Sequence, residues 1–135
     1  MISIEQRTFN AAYIGLSGQG WIQSTNAAGT CLYRYVTPEG KKLACAAGQL
    51  FTDADYDVDM ECTREREGLV AAAIRKNGFC PHMASMFQKC HDGEGWLDED
   101  KLNYTPYTAM SPAELQAAFG RFAVNHGLTI PEVPA

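Results

Sequence analysis

No stretch of this chain approaches the roughly 18 consecutive apolar residues that a membrane-crossing helix requires. The segment from Met1 to Arg7 lacks both the basic flank and the apolar centre of a secretory signal. These absences predict a protein that is neither embedded in a membrane nor secreted. Cysteine is sparse and odd in number: Cys31, Cys45, Cys62, Cys80 and Cys90 are too scattered for a disulfide scaffold, which predicts reduced thiols and a cytoplasmic setting. Basic residues are outnumbered, with 11 Lys and Arg against 16 Asp and Glu for a net charge of −5, so no direct binding of nucleic-acid phosphates is expected. A Gly-rich phosphate loop, a serine nucleophile elbow and a metalloprotease histidine pair are also missing, and no pattern in the chain implies a cofactor.

What is present suffices for one core. With 135 residues, 46% of them hydrophobic, the chain reads as a single globular domain over residues 1–135, with 131–135 as a loose tail. Ser3 and Gln6 form a capping-box pattern ahead of Phe9, Ala12, Tyr13 and Leu16, predicting a helix from about residue 4 to 16 that Gly15, Gly18 and Gly20 weaken and end. Trp21 and Ile22 are expected to dip back to the core. Cys31 to Val36 and Lys41 to Ala47, separated by Thr37-Pro-Glu-Gly40, predict a β-hairpin that would bring Cys31 near Cys45.

Residues 64–77 predict a second helix with Leu69, Val70, Ala73 and Ile74 on its apolar stripe and Asn77-Gly78 as its stop. Pro81 suits the first position of a third, whose Met83, Met86, Phe87 and Cys90 fall within about 100° of arc. Asp92 to Met110 has no period and reads as a long ordered loop, and Ser111-Pro112-Ala113-Glu114 opens a fourth helix closed by Gly127. On that helix His126 lies on the apolar stripe and reads as a core histidine. The fold class that follows is α+β, a small antiparallel hairpin packed against about four helices.

Three groups of residues could carry chemistry. From Asp53 to Cys62 acids alternate with apolar residues: Asp53, Asp55, Asp57, Asp59 and Glu61 share one parity. Period two fits a strand, but aspartate favours turns, so a first helical turn capped by Thr52 competes. An EF-hand does not fit, because Val58 or Met60 falls where glycine is needed and Arg64 or Arg66 where the bidentate glutamate belongs. The five carboxylates could form a ridge complementary to a basic partner, or a solvated face balanced by nearby arginines.

Cys31 and Cys45 with His91 and Asp92 supply the thiol, imidazole and carboxylate of a nucleophilic site, the alternative to a set of core thiols and a histidine at a helix end. Cys80, His82, Cys90 and His91 are zinc-ligand types, but a helix starting at Pro81 would set His82 and His91 about 180° apart and Cys90 about 15 Å beyond Cys80, so no metal site is expected.

Cys31-Leu-Tyr-Arg34, Lys42-Leu-Ala-Cys-Ala-Ala-Gly48-Gln-Leu50, Asp53 with Tyr56-Asp57, and Gln88-Lys-Cys-His91-Asp92 with Trp96 beyond resemble a set of small uncharacterised bacteriophage and bacterial proteins. The resemblance implies a phage or prophage origin and brings with it no activity, cofactor or catalytic residue. Small acidic phage proteins often act by occupying a host protein's surface. The expectation is therefore an accessory protein, more a binder than an enzyme. It would bind and inhibit a host macromolecule with a basic surface, a defence component among the possibilities, through Asp53, Asp55, Asp57, Asp59 and Glu61. A small cysteine enzyme and a zinc-stabilised module are the alternatives.

Overall fold

The computed structural model describes residues 2–26, 31–62, 67–91 and 110–133, with the backbone alone for Cys62 and for residues 89–91. Four helices and one two-stranded antiparallel sheet make up the regular structure among the described residues. Helix α1 spans Ile4–Gly18, α2 Gly68–Lys76, α3 Pro81–His91 and α4 Pro112–Asn125, with strands β1 (Tyr35–Val36) and β2 (Lys42–Leu43) and two 3-10 turns at Ala47–Leu50 and Val58–Cys62. No described helix is long and apolar enough to cross a membrane.

Capping chemistry sets the helix ends. The Ser3 hydroxyl accepts the Gln6 amide at 3.1 Å, and Ser111 and Glu114 exchange reciprocal capping bonds at 3.2 and 3.0 Å. Helices α1, α2 and α4 each end on a glycine with positive φ, Gly20 (74°), Gly78 (84°) and Gly127 (65°). In all three, the residue after the glycine donates its amide five residues back: Trp21 to Leu16, Phe79 to Ile74 and Leu128 to Ala123, at 2.8, 3.1 and 2.8 Å. This double closure satisfies carbonyls the helix leaves open and turns an apolar residue back onto it. Helix α1 runs two residues beyond its expected end: Gly15 lies within it, where it leaves the Gln49 side chain its space, and Gly20 supplies the stop.

The core lies where α1, α3 and α4 meet. Phe9 sits among Tyr13, Phe87, Phe119 and Phe122, with ring centroids 5.7 to 6.4 Å apart, and Trp21 adds an edge-to-face contact with Tyr13 at 4.7 Å. Burying each such ring contributes about 1.5 to 3 kcal/mol, and Phe9, Phe87 and Phe119 are fully buried. Trp21 takes the left-handed φ of 60° that seats its ring here. Leu128 and Val133 pack against the same core, so the tail is docked as far as residue 133.

The expected apolar stripes need two corrections. Leu69 is exposed, because α2 turns Val70, Ala71, Ala73 and Ile74 inward instead. His126 is exposed as well, at the C-cap of α4 with its ring stacked 4.1 Å over Phe122.

The hairpin is shorter than the sequence suggests. Only Tyr35 with Leu43 and Val36 with Lys42 pair, and Cys31 forms an isolated bridge with Thr25. Continued, this register would set Cys31 opposite Ala47 and Tyr33 opposite Cys45. Side chains take up the backbone just beyond the strand ends. The Gln19 amide bonds both the N–H and the carbonyl of Ala44 (3.1 and 2.8 Å), acting as a surrogate strand beside β2. On the approach to β1, the Glu61 carboxylate accepts the amides of Tyr33 and Arg34 at 2.8 and 3.2 Å.

Candidate functional site

The acidic segment is neither a strand nor a continuous ridge. Thr52 and Asp55 cap one turn, with the Asp55 amide donating to the Thr52 hydroxyl at 3.2 Å and the hydroxyl donating to the Asp55 carboxylate at 2.9 Å. The chain then enters the second 3-10 turn, in which the Asp57 carboxylate accepts the Asp59 amide at 2.8 Å. Aspartate bonding to nearby backbone favours turns over ladders, and here it does so twice.

A turn does not send alternate residues to one face, and so the five acids part company. The Asp55 side chain is only 10% exposed and meets the Lys76 ammonium at 2.7 Å and the Asn77 amide at 3.1 Å. These donors, with Thr52, hold its carboxyl well below the usual carboxylate range. Glu61 faces inward, taking the two backbone amides before β1 and the Tyr56 hydroxyl at 2.7 Å. Burial, followed by that carboxylate, pushes the Tyr56 hydroxyl up to about 12. Asp53, Asp57 and Asp59 are exposed, and Val58 between the last two is 71% exposed.

Arg34 organises the surface beside these acids. Its guanidinium donates to the carbonyls of Tyr33 (3.1 Å), Gly48 (2.6 Å) and Phe51 (2.8 Å) and to the Asp53 carboxylate at 2.8 Å. It also lies 4.8 Å from the ring centroid of Phe51 and 5.7 Å from that of Tyr56. A Cβ on Gly48 would fall 2.5 Å from the Tyr33 carbonyl oxygen and 2.9 Å from the guanidinium, so glycine is what admits the arginine. Asp53 is held below its ordinary value by the Arg34 hydrogen bond and charge, with Lys42 adding to the effect.

Across the hairpin's outward face run two adjoining shallow hollows. One, of about 330 Å³, has a polar wall of Gln19, Gln49 and Thr52, and the other, of about 240 Å³, has an apolar wall of Tyr35, Val36 and Tyr56. Arg34, Lys42, Leu43 and Asp53 line both. The surface can therefore offer an apolar seat beside exposed carboxylates. Sequence reasoning passed over Arg34, although a lone charge inside the run from Cys31 to Val36 was a signal that could have marked it.

The thiols stand apart from this surface. Cys45 is 1% exposed and its sulfur accepts the Gly48 amide at 3.4 Å. Cys31 is half-buried, and the Gln88 amide of α3 donates to its sulfur at 3.0 Å while accepting the Ala47 amide at 3.3 Å. Gln88 thus joins the two sides of the hairpin that the sequence assigned to a Cys31 and Cys45 approach. The His91 side chain and Asp92 lie outside the described residues, as do the Cys90 side chain and the arginines at 64 and 66. Among the described residues no three His, Cys, Asp or Glu side chains are grouped to hold a metal. Comparison with protein-family models, with characterised proteins and with solved structures finds no match to this chain.

Proposed function

We propose that this protein is a cytoplasmic binding protein that docks on a basic surface of a macromolecular partner through Asp53, Asp57 and Asp59, with Val58 and the apolar hollow by Tyr56 as the packing contact. The observation that carries this reading is the exposed Val58 held between exposed carboxylates. Val58 is presented on a backbone fixed by the Asp57 turn and anchored by Met60, which is 3% exposed. Asp55 and Glu61 support this reading indirectly, as the two acids that hold the segment in shape. Complementary charge would speed encounter, and the buried apolar contact would set residence time. The resemblance to phage proteins directs the proposal to a host protein as partner, a defence component among the candidates, and to inhibition as the outcome.

The test uses the full chain as bait, comparing wild type with the triple Asp53→Asn, Asp57→Asn, Asp59→Asn variant. Partner capture should fall about tenfold in the variant at low ionic strength, and the difference should shrink as salt shortens the screening length towards about 3 Å at 1 M. Equal capture by both baits at low salt would refute the acidic surface.

A further inference from the structure

We propose that Asn77-Gly78 is a latent deamidation site, locked by the C-terminal cap of α2 and by Asp55, whose conversion releases the acidic segment from that helix in one direction only. Asparagine is among the chemically labile residues, and a following glycine, with no Cβ, leaves its own nitrogen unobstructed. In the reaction the Gly78 nitrogen attacks Asn77 Cγ: the N–Cγ bond forms, the nitrogen gives up its proton, the Cγ–Nδ2 bond breaks, and the amide nitrogen leaves as ammonia. Water then opens the cyclic imide at either carbonyl, its hydroxyl going to carbon and its proton to nitrogen, to leave aspartate or isoaspartate. Solvent is the only co-reactant.

The folded chain blocks this step at each atom involved. Asn77 sits at the cap with ψ of 5°, which eclipses the Gly78 nitrogen with Asn77's own nitrogen, whereas ring closure requires it to eclipse Cβ, a third of a turn away. The Gly78 amide is engaged with the Arg75 carbonyl at 2.9 Å as part of the helix closure. Asn77 Nδ2 donates to Asp55 Oδ2 at 3.1 Å and to the Ala73 carbonyl at 2.8 Å. Asp55 is itself fastened by Lys76 and Thr52. The bonds made by the Gly78 amide and the Asn77 side chain are lost when the end of α2 opens, so conversion reads that opening.

Conversion also forbids reclosure. A carboxylate at position 77 has no proton to donate to Asp55 or to Ala73 and repels the Asp55 carboxylate, so two bonds become one repulsion. The turn from Thr52 to Tyr56 is then held to α2 through Lys76.

The experiment incubates the full-length chain at physiological temperature and pH and follows the replacement of NH2 by OH by intact mass and peptide mapping. The native chain should convert at least about tenfold more slowly than the same chain in urea. Asp55→Ala should raise the native rate about tenfold, the effect of losing one hydrogen bond to a charged group. In Asn77→Asp, which mimics the product, amide exchange at Asp55 and Tyr56 should accelerate. A native rate equal to the denatured one overturns the lock, an unchanged rate in folded Asp55→Ala overturns the role of Asp55, and unchanged exchange in Asn77→Asp overturns the release. Should Asp55→Ala not fold, the native-against-urea comparison and Asn77→Asp still decide.

Discussion

Replacing Arg34 with alanine should destabilise the protein by about 3 to 5 kcal/mol, and most of that loss should come from backbone carbonyls and not from the ion pair. Three of its four hydrogen bonds end on the carbonyls of Tyr33, Gly48 and Phe51. Hydrogen bonds to a charged group contribute about 1.5 to 3 kcal/mol each, and a carbonyl left buried without a donor costs a similar amount. The arginine side chain is 18% exposed, so water would re-enter and recover roughly half of the gross figure, while the lost contacts with the Phe51 and Tyr56 rings add about 0.5 to 1 kcal/mol. Asp53, by contrast, has a side chain 79% exposed, and an ion pair with so open a partner contributes no more than about 1 kcal/mol. Asp53→Asn should therefore be nearly silent where Arg34→Ala is severe. Arg34→Lys should fall between, since an ammonium cannot fork to carbonyls on two sides. Equilibrium urea unfolding followed by far-ultraviolet circular dichroism measures all three, with unchanged slopes required for the comparison. A loss below about 1 kcal/mol for Arg34→Ala, or equal losses for Arg34→Ala and Asp53→Asn, would refute the reasoning.

Acid should loosen the attachment of the acidic segment to α2. The folded Asp55 carboxyl titrates below its ordinary 3.8, so its stabilisation is complete above a pH of about 4 and is lost as pH falls from there through the lowered value; Asp53 and Glu114, shifted the same way, add to the loss. Acid-unfolding curves of wild type and Asp55→Asn should therefore differ at neutral pH and converge in acid, and a gap independent of pH would contradict the assignment. Alkylation of the folded protein should leave Cys45 the slower thiol and Cys31 the faster, following their burial. A Cys31 that instead reacts faster than an unfolded thiol, with a pH midpoint well below about 8.5, would favour the nucleophile reading over the binding one.

The helices were legible because their signals are local. Ser3, Ser111, Pro81, Gly78 and Gly127 act within one turn of their own positions, and each lies at or beside the end of a helix. The hairpin was legible as a turn but not in extent, since its length is decided by distant partners. Gln19 claims Ala44 from 25 residues away and Gln88 reaches Cys31 from 57. Glutamine substituting for a peptide group recurs where Gln6 bonds both the N–H and the carbonyl of Thr129 (2.9 and 2.7 Å), and nothing in residue spacing announces it. The acidic alternation was read correctly as a pattern and ambiguously as a structure, because period two describes a strand only if side chains alternate across a ladder. The Thr52 and Asp57 bonds to nearby amides compete with any ladder, and the parity of the five acids consequently says nothing about which of them face solvent.

That separation bears on where recognition can reside. Arg34, Gly48, Asp53 and Tyr56 belong to one mutually bonded cluster: the arginine spans Gly48 and Asp53, stands over Tyr56, and Tyr56 closes on Glu61. Residues that satisfy one another in this way specify a fold, and a fold leaves function to the site built on it. Two positions outside that cluster are Val58 and Lys42, whose side chains could be exchanged without unseating Arg34. If partner choice lies with them, charge reversal at Lys42 should alter binding while leaving the urea midpoint in place, whereas any change at Arg34 or Gly48 should move binding and stability together.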